Sequence, residues 1–147
     1  PKPLFNKKGC DFSFSGLKTA VRQAIEKEAE KGGVSEAVKA DVAASFQHTA
    51  SLCLSNRLQN AIEAYEALGL VSRQLVVAGG VAANKALRGV LQGQCEQNAY
   101  QLSFPPLALC TDNAAMIAWA GYENYRLNGK ATPLEFEPRA RWPLTSA

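Results

Sequence analysis

The sequence contains a single histidine, His48, so no multi-histidine metal site can be built from this chain alone. Cysteine is also sparse: Cys10, Cys53, Cys95 and Cys110 are the four, and no two stand in the CxxC spacing of a redox or zinc motif. Thiols at that density do not staple a fold, and four reduced cysteines in a cytosolic-type compartment are expected. No apolar run approaches the roughly 20 residues that span a bilayer. The start, Pro1-Lys2-Pro3-Leu4-Phe5, lacks the apolar core of a signal peptide. A chain opening on Pro1 without a methionine is expected to be cut from something longer. Neither sign of charge dominates, since sixteen Lys and Arg against thirteen Asp and Glu leave +3. Such mild basicity permits nucleic-acid contact without demanding it. Internal repeats, low-complexity segments and a glycine period are absent too, which excludes fibres and repeat arrays.

What remains is an ordinary globular composition. The 147 residues are 47% hydrophobic, too apolar for disorder and enough for one domain that buries about two-thirds of its unfolded surface.

Residues 11–16, Asp-Phe-Ser-Phe-Ser-Gly, alternate apolar and small polar side chains, the period of a strand. Leu17, Val21, Ala24 and Ile25 then follow helical spacing as far as Lys31, where Gly32-Gly33 stop the helix. Ser35 is placed to cap a long helix from Glu36 to about Leu68, terminated by Gly69. Its broad apolar face comprises Val42, Phe46, Ala50, Cys53, Leu54, Leu58, Ala61, Ile62, Tyr65 and Leu68. Residues 74–78 form a nearly continuous apolar run, the mark of a strand covered on both faces. Gly79-Gly80 break it before a short helix over about 83–94. Residues 100–104 read as a further strand closed by Pro105-Pro106. A last helix, opened by Thr111 or Asp112, reaches Leu127 and stops at Asn128-Gly129. Residues 1–10 read as a linker-like start and 130–147 as an extended tail holding Pro133, Pro138, Arg139, Arg141, Trp142 and Pro143. Strand, helix, helix, strand, helix, strand, helix is an α/β order with a mostly parallel sheet.

Two places could carry chemistry. In Val77-Ala78-Gly79-Gly80-Val81-Ala82-Ala83-Asn84 a strand delivers two glycines to a helix start. Glycine lets a backbone approach a ligand closely, and ligands of open α/β sheets collect at the carboxyl ends of strands. The Asn84 amide could donate to and accept from a nucleotide. The pattern is neither GxGxxG nor a Walker loop, and taken alone it favours a tight turn that binds nothing. In Cys110-Thr111-Asp112-Asn113 the carboxylate of Asp112 could bind a metal ion or position a nucleotide. Taken alone, helix capping by Thr111, with Asp112 facing the helix dipole, is the stronger reading.

Other residues carry less. His48 sits beside the apolar stripe of the long helix and reads as a surface or boundary residue. Ser13 and Ser15 lack a GxSxG elbow and an evident base. Lys7, Lys8, Lys18 and Arg22 read as solvated surface, as do Arg139 and Arg141 beside Trp142.

Three segments together say more than any one. Asp11-Phe12-Ser13-Phe14-Ser15-Gly16-Leu17-Lys18-Thr19 is the first. Ala78-Gly79-Gly80-Val81-Ala82-Ala83-Asn84, with Leu87-Arg88 beyond it, is the second. Cys110-Thr111-Asp112-Asn113-Ala114-Ala115-Met116-Ile117-Ala118, followed by Gly121-Tyr122, is the third. In this order and spacing the chain closely resembles the C-terminal portion, somewhat under half, of the TsaD/Gcp family. These are the tRNA N6-adenosine threonylcarbamoyltransferases, once called O-sialoglycoprotein endopeptidases.

The resemblance implies one lobe, residues 1–147, of a two-lobed actin-like ATPase fold, the ribonuclease H-like architecture shared with sugar kinases and heat-shock chaperones. It implies transfer of a threonylcarbamoyl group from threonylcarbamoyl-AMP to N6 of adenosine-37 in tRNAs that read codons beginning with A. It also implies one divalent metal ion, iron or zinc, and an adenine nucleotide or threonylcarbamoyl-AMP in the cleft. On this sequence the family's nucleotide loop falls on Gly79, Gly80 and Asn84, and its metal-binding aspartate on Asp112. Two further ligands are the histidines of an HxxxH motif that this chain does not contain, and His48 is no substitute. No catalytic residue is identified. The implied partners are tRNA and the bacterial proteins TsaB and TsaE, in the cytoplasm and without a membrane; a lobe cut from its neighbour is also expected to self-associate. The fragment by itself is expected to be inactive. Three other readings stay open: a metallopeptidase, a non-catalytic lobe that docks partners or tRNA, and a kinase or ATPase fragment of the same fold.

Overall fold

A computed structural model of the chain describes residues 1–131 together with Pro133, Glu135 and Glu137. Four helices, α1 (Ser15–Glu30), α2 (Glu36–Ala67), α3 (Lys85–Gln97) and α4 (Ala114–Asn128), accompany two strands, β1 (Gln74–Val76) and β2 (Gln101–Ser103). Short 3-10 turns occupy Gly80–Ala83 and Leu107–Leu109. The chain falls into two compact units, one running from Pro1 to Thr111 and one beginning at Asp112.

The first unit is organised by α2, whose 32 residues extend for about 48 Å. Ser35 caps it as its sequence position predicts, the hydroxyl accepting from the Val38 amide at 3.2 Å. Cys53 and Ile62 from its apolar stripe are buried. Ile62 clusters with Cys95 from α3 and Tyr100 ahead of β2, and Leu58, Tyr65, Leu75 and Leu102 pack against them. The stripe ends earlier than its pattern suggests. Leu68 follows the last helical residue and is exposed. The α2–α3 seam is also polar: Ser55 Oγ donates to Gln94 Oε1 at 2.8 Å, and Gln94 Nε2 donates back to the Ser55 carbonyl at 2.9 Å.

The strands pair in parallel, Gln74 opposite Gln101 and Val76 opposite Ser103. Parallel neighbours need a crossover, and α3 supplies it. The architecture is therefore α/β with a small parallel sheet and flanking helices. The strand expected at 11–16 does not form. Residues 11–14 have no strand partner among the described residues, and α1 begins at Ser15. Serine chemistry favours this outcome, since Ser13 Oγ accepts from the Ser15 amide at 3.3 Å and Thr19 Oγ1 bonds the Ser15 carbonyl.

Residues 1–10 make turns that α2 holds in place. Asn60 Nδ2 donates to the carbonyls of Lys7 and Gly9, and Arg57 Nη1 donates to Gly9 at 3.0 Å. The tail expected over 130–147 lies for the most part outside the described residues, including Pro138, Arg139, Arg141, Trp142 and Pro143. In the second unit α4 is capped by Asn113 rather than by Thr111 or Asp112. Asn113 Oδ1 accepts from the Met116 amide at 2.9 Å. The helix ends at Gly129, whose φ of +63° is the left-handed cap that glycine adopts without a Cβ clash. Among the described residues no helix is long and apolar enough to cross a membrane.

Two outcomes follow from this packing. Ile62→Ala should cost about 2–5 kcal/mol in urea unfolding; a loss under about 1 kcal/mol would mean that the cluster around Cys95 is not the core. Cys10 is exposed whereas Cys53, Cys95 and Cys110 are buried, and burial, helped by nearby Glu96, pushes the Cys95 thiol above its ordinary pKa. Under native conditions iodoacetamide should therefore modify Cys10 first, and rapid labelling of Cys95 would contradict the structure.

Candidate functional site

The glycine turn leaves the carboxyl end of β1. The ladder to β2 continues one step past the strand, where the Val77 amide donates to the Ser103 carbonyl at 3.1 Å. Gly79 then turns the chain with φ +88°, a conformation that L side chains rarely adopt. The 3-10 turn closes as the Ala82 amide donates to Gly79 and the Asn84 amide to Val81. Ala82 is buried and pins the turn to the core, while Gly79, Gly80 and Val81 face outward.

The two glycines have different reasons to be there. Gly79 is required by its own backbone angle. Gly80 is not: its φ lies outside the left-handed region, and an added Cβ would meet nothing within 4 Å. Among the described residues neither strain nor crowding explains Gly80, which leaves open space beside the turn.

Asn84 is the N-cap of α3. Its Oδ1 accepts from the amides of Ala86 and Leu87 at 2.9 and 3.1 Å. Its Nδ2 donates to Gln47 Oε1 on α2 at 3.0 Å. The side chain thus starts α3 and ties it to α2 at once, and the second Nδ2 hydrogen remains beyond these three bonds.

Two hollows lie in this region, of which the second is lined by the turn itself. One, of about 570 Å³, lies between α1, α2 and the start of α3, lined among others by Lys18, Ile25, Lys39, Phe46, Gln47 and Asn84. The other, of about 380 Å³, lies under the turn against Phe12, Phe14, Leu75, Gly79, Gly80 and Phe104. The first is walled mainly by apolar side chains, Val21, Val42, Ala50 and Leu87 with Ile25 and Phe46, and carries Lys18, Lys39, Gln47 and Asn84 among them.

Asp112 belongs to the second unit and is exposed, one residue before the Asn113 cap. It enters no ion pair within 4.0 Å among the described residues. As a hard oxygen donor it fits one ligand position of a metal. A complete set is lacking, since no three His, Cys, Asp or Glu side chains group to hold an ion among the described residues. Zinc sites need three or four protein ligands, so these residues do not make a metal site by themselves.

His48 is exposed on α2, away from the glycine turn's hydrogen bonds, as a surface histidine would be. Ser13 and Ser15 bond each other at 3.1 Å and face no base. Sequence reasoning missed two residues that the structure brings forward. Gln47 holds Asn84, and Arg88 reaches both the glycine turn and the loop after β2. The helical register of 47 against 84 carries no local signal, because the contact spans 37 positions.

Comparison with known proteins agrees with the three motifs. The family model described as TsaD: tRNA N6-adenosine threonylcarbamoyltransferase matches residues 1–119. A Rhodospirillum rubrum protein of that name is 52% identical over 144 residues, covering 98% of this chain and 39% of its own length. The Rickettsia canadensis protein is 51% identical over 146 residues, 98% of this chain and 42% of its own. The Anaplasma phagocytophilum protein is 48% identical over 146 residues, 99% of this chain and 42% of its own. The chain therefore spans about 40% of the length of these relatives. A parallel strand pair with flanking helices agrees with part of the actin-like ATPase fold expected from the motifs. With a family model matched across residues 1–119 and identity near one half over almost its whole length, the chain belongs to the TsaD family of tRNA N6-adenosine threonylcarbamoyltransferases.

Proposed function

We propose that this chain is the C-terminal lobe of an enzyme that moves a threonylcarbamoyl group from threonylcarbamoyl-AMP to N6 of adenosine-37 in tRNA. The observation that carries the reading is the match to relatives of that name across 98% of the chain. On this reading the lobe is cytoplasmic and inactive alone. Its partners are tRNA, TsaB and TsaE, and the exposed Trp119 and Tyr122, which share one face of α4, give it a means to self-associate.

The Gly79-Gly80 turn and Asn84 form the lobe's half of the nucleotide site. The position of Gly80 supports this: it lies on the exposed turn at the carboxyl end of β1, where an added Cβ would meet none of the described residues within 4 Å and a ligand could lie against the backbone. The hollow beside Asn84, about 570 Å³ and walled mainly by apolar side chains, has room for the flat face of a base. In the reaction the adenosine amino group attacks the carbamoyl carbonyl, the bond to phosphate breaks, AMP leaves, and the amine gives up a proton. The contribution of these residues is to fix the nucleotide in line with the attacking amine, an effect of position rather than of proton transfer. No general base is assigned to this lobe. Asp112 is one ligand of a divalent ion, iron or zinc, whose other ligands come from the portion of the relatives that this chain does not span.

Both assignments are open to measurement in the polypeptide joined to that remaining portion. Gly80→Ala should weaken AMP binding by at least about tenfold while stability stays level or rises, since the backbone there tolerates alanine. Unchanged AMP affinity would remove Gly80 from the site. Asp112→Asn should lower zinc affinity by at least about tenfold in equilibrium dialysis, the smaller end of what even groups outside the ligand set cost. Equal zinc retention by the variant would exclude Asp112 as a ligand.

A further inference from the structure

Arg88, on the first turn of α3, is half-buried and makes contacts in two directions. Its Nε donates to the carbonyl of Ala82, inside the glycine turn that follows β1. Its Nη2 donates to the Pro105 carbonyl at 3.2 Å and to Cys110 Sγ at 3.3 Å, both in the segment that follows β2. The guanidinium also lies 4.4 Å from the ring centroid of Phe104, a cation–π contact that fixes its plane. The Cys110 thiol is buried and directed back at the Pro105 and Pro106 carbonyls, at 3.7 and 3.6 Å. No carboxylate pairs with Arg88 among the described residues; its charge is spent on carbonyl and sulfur acceptors.

We propose that Arg88 is a positioning residue: its single guanidinium sets the spacing between the glycine turn after β1 and the Pro105–Cys110 segment after β2, so that a nucleotide on the turn also stiffens that segment. The proposal rests on the reading of Gly79-Gly80 as a nucleotide loop. The physical basis is the rigid fork of arginine. Two strand ends are held at once by donors whose separation is fixed by a planar group, and a lysine, with one ammonium, cannot span both. Each strand end otherwise leads into irregular backbone, where the ladder has stopped.

The test uses Cys110 as the reporter, in a Cys10→Ser background of the polypeptide joined to the remaining portion of the family's length. Labelling of the Cys110 peptide by iodoacetamide is followed by mass spectrometry with and without AMP, and AMP affinity is measured by calorimetry. The expected result is that AMP slows labelling in the parent. In Arg88→Met, Cys110 should label about tenfold faster, what one charge-assisted hydrogen bond is worth, AMP should bind at least about tenfold more weakly, and AMP protection should be lost. Arg88→Lys, which keeps charge and most of the packing, should fail in the same way, and it serves as the main variant if the methionine does not fold. A purely structural arginine would lower the melting temperature and leave AMP affinity and protection of the folded protein intact; that result overturns the proposal. AMP binding absent from the parent overturns the nucleotide reading itself and the coupling with it. AMP binding present and equal in parent and Arg88→Lys overturns the coupling alone.

Discussion

The structure of the first unit depends on one act of burial, that of the α2 stripe against α3 and the strand pair. Cys95 at the centre has no exposed surface, and Ile62 and Tyr100 close over it. Two strands of three residues each do not hold together on their own in water. Here they do so because Leu75 and Leu102 reach the same cluster that α2 and α3 form. The crossover helix and the strands are therefore stabilised by one set of contacts rather than by separate ones.

That arrangement decides where the glycine turn lies. Once β1 is paired and α3 is packed on α2, the chain between them has eight residues in which to reverse, 77–84. Ala82 anchors this reversal from inside, and Asn84 caps the helix that ends it. The glycines are left on the outer side with nothing above them. A turn pinned on one face and bare on the other is a surface already shaped before any ligand arrives, and preorganisation of that kind lowers the cost of binding. Asn84 illustrates how one side chain can cap a helix and tie it to its neighbour. Oδ1 is fully used by α3, whereas Nδ2 holds Gln47 with one hydrogen and keeps another.

Much of this was legible from local pattern. The bounds of α2, the Ser35 cap, the Gly129 stop and the two parallel strands follow from spacing and from single residues with strong local preferences. The alternation at 11–16 misled because period two is necessary for a strand but does not supply a partner, and the serines there bond locally instead. Capping of α4 was misplaced by one or two residues because Thr111, Asp112 and Asn113 are all good caps, and sequence has no means of choosing among adjacent candidates. Leu68 fell out of the stripe because helical periodicity does not reveal where the packing partner ends.

The sequence by itself determined the family, the order of the four helices and two strands from residue 17 onward, and the candidates Gly79, Gly80, Asn84 and Asp112, because motifs and periodicity are local properties of the chain. Tertiary structure alone decided that Asn84 is held by Gln47, that Arg57 and Asn60 bind residues 1–10 down, and that Arg88 joins two strand ends. It also separated the two glycines, one demanded by a backbone angle and the other by nothing among the described residues. The reason is physical: each of these depends on groups brought within about 3 Å by packing, and a hydrogen bond across tens of residues leaves no periodic trace in the residues that make it.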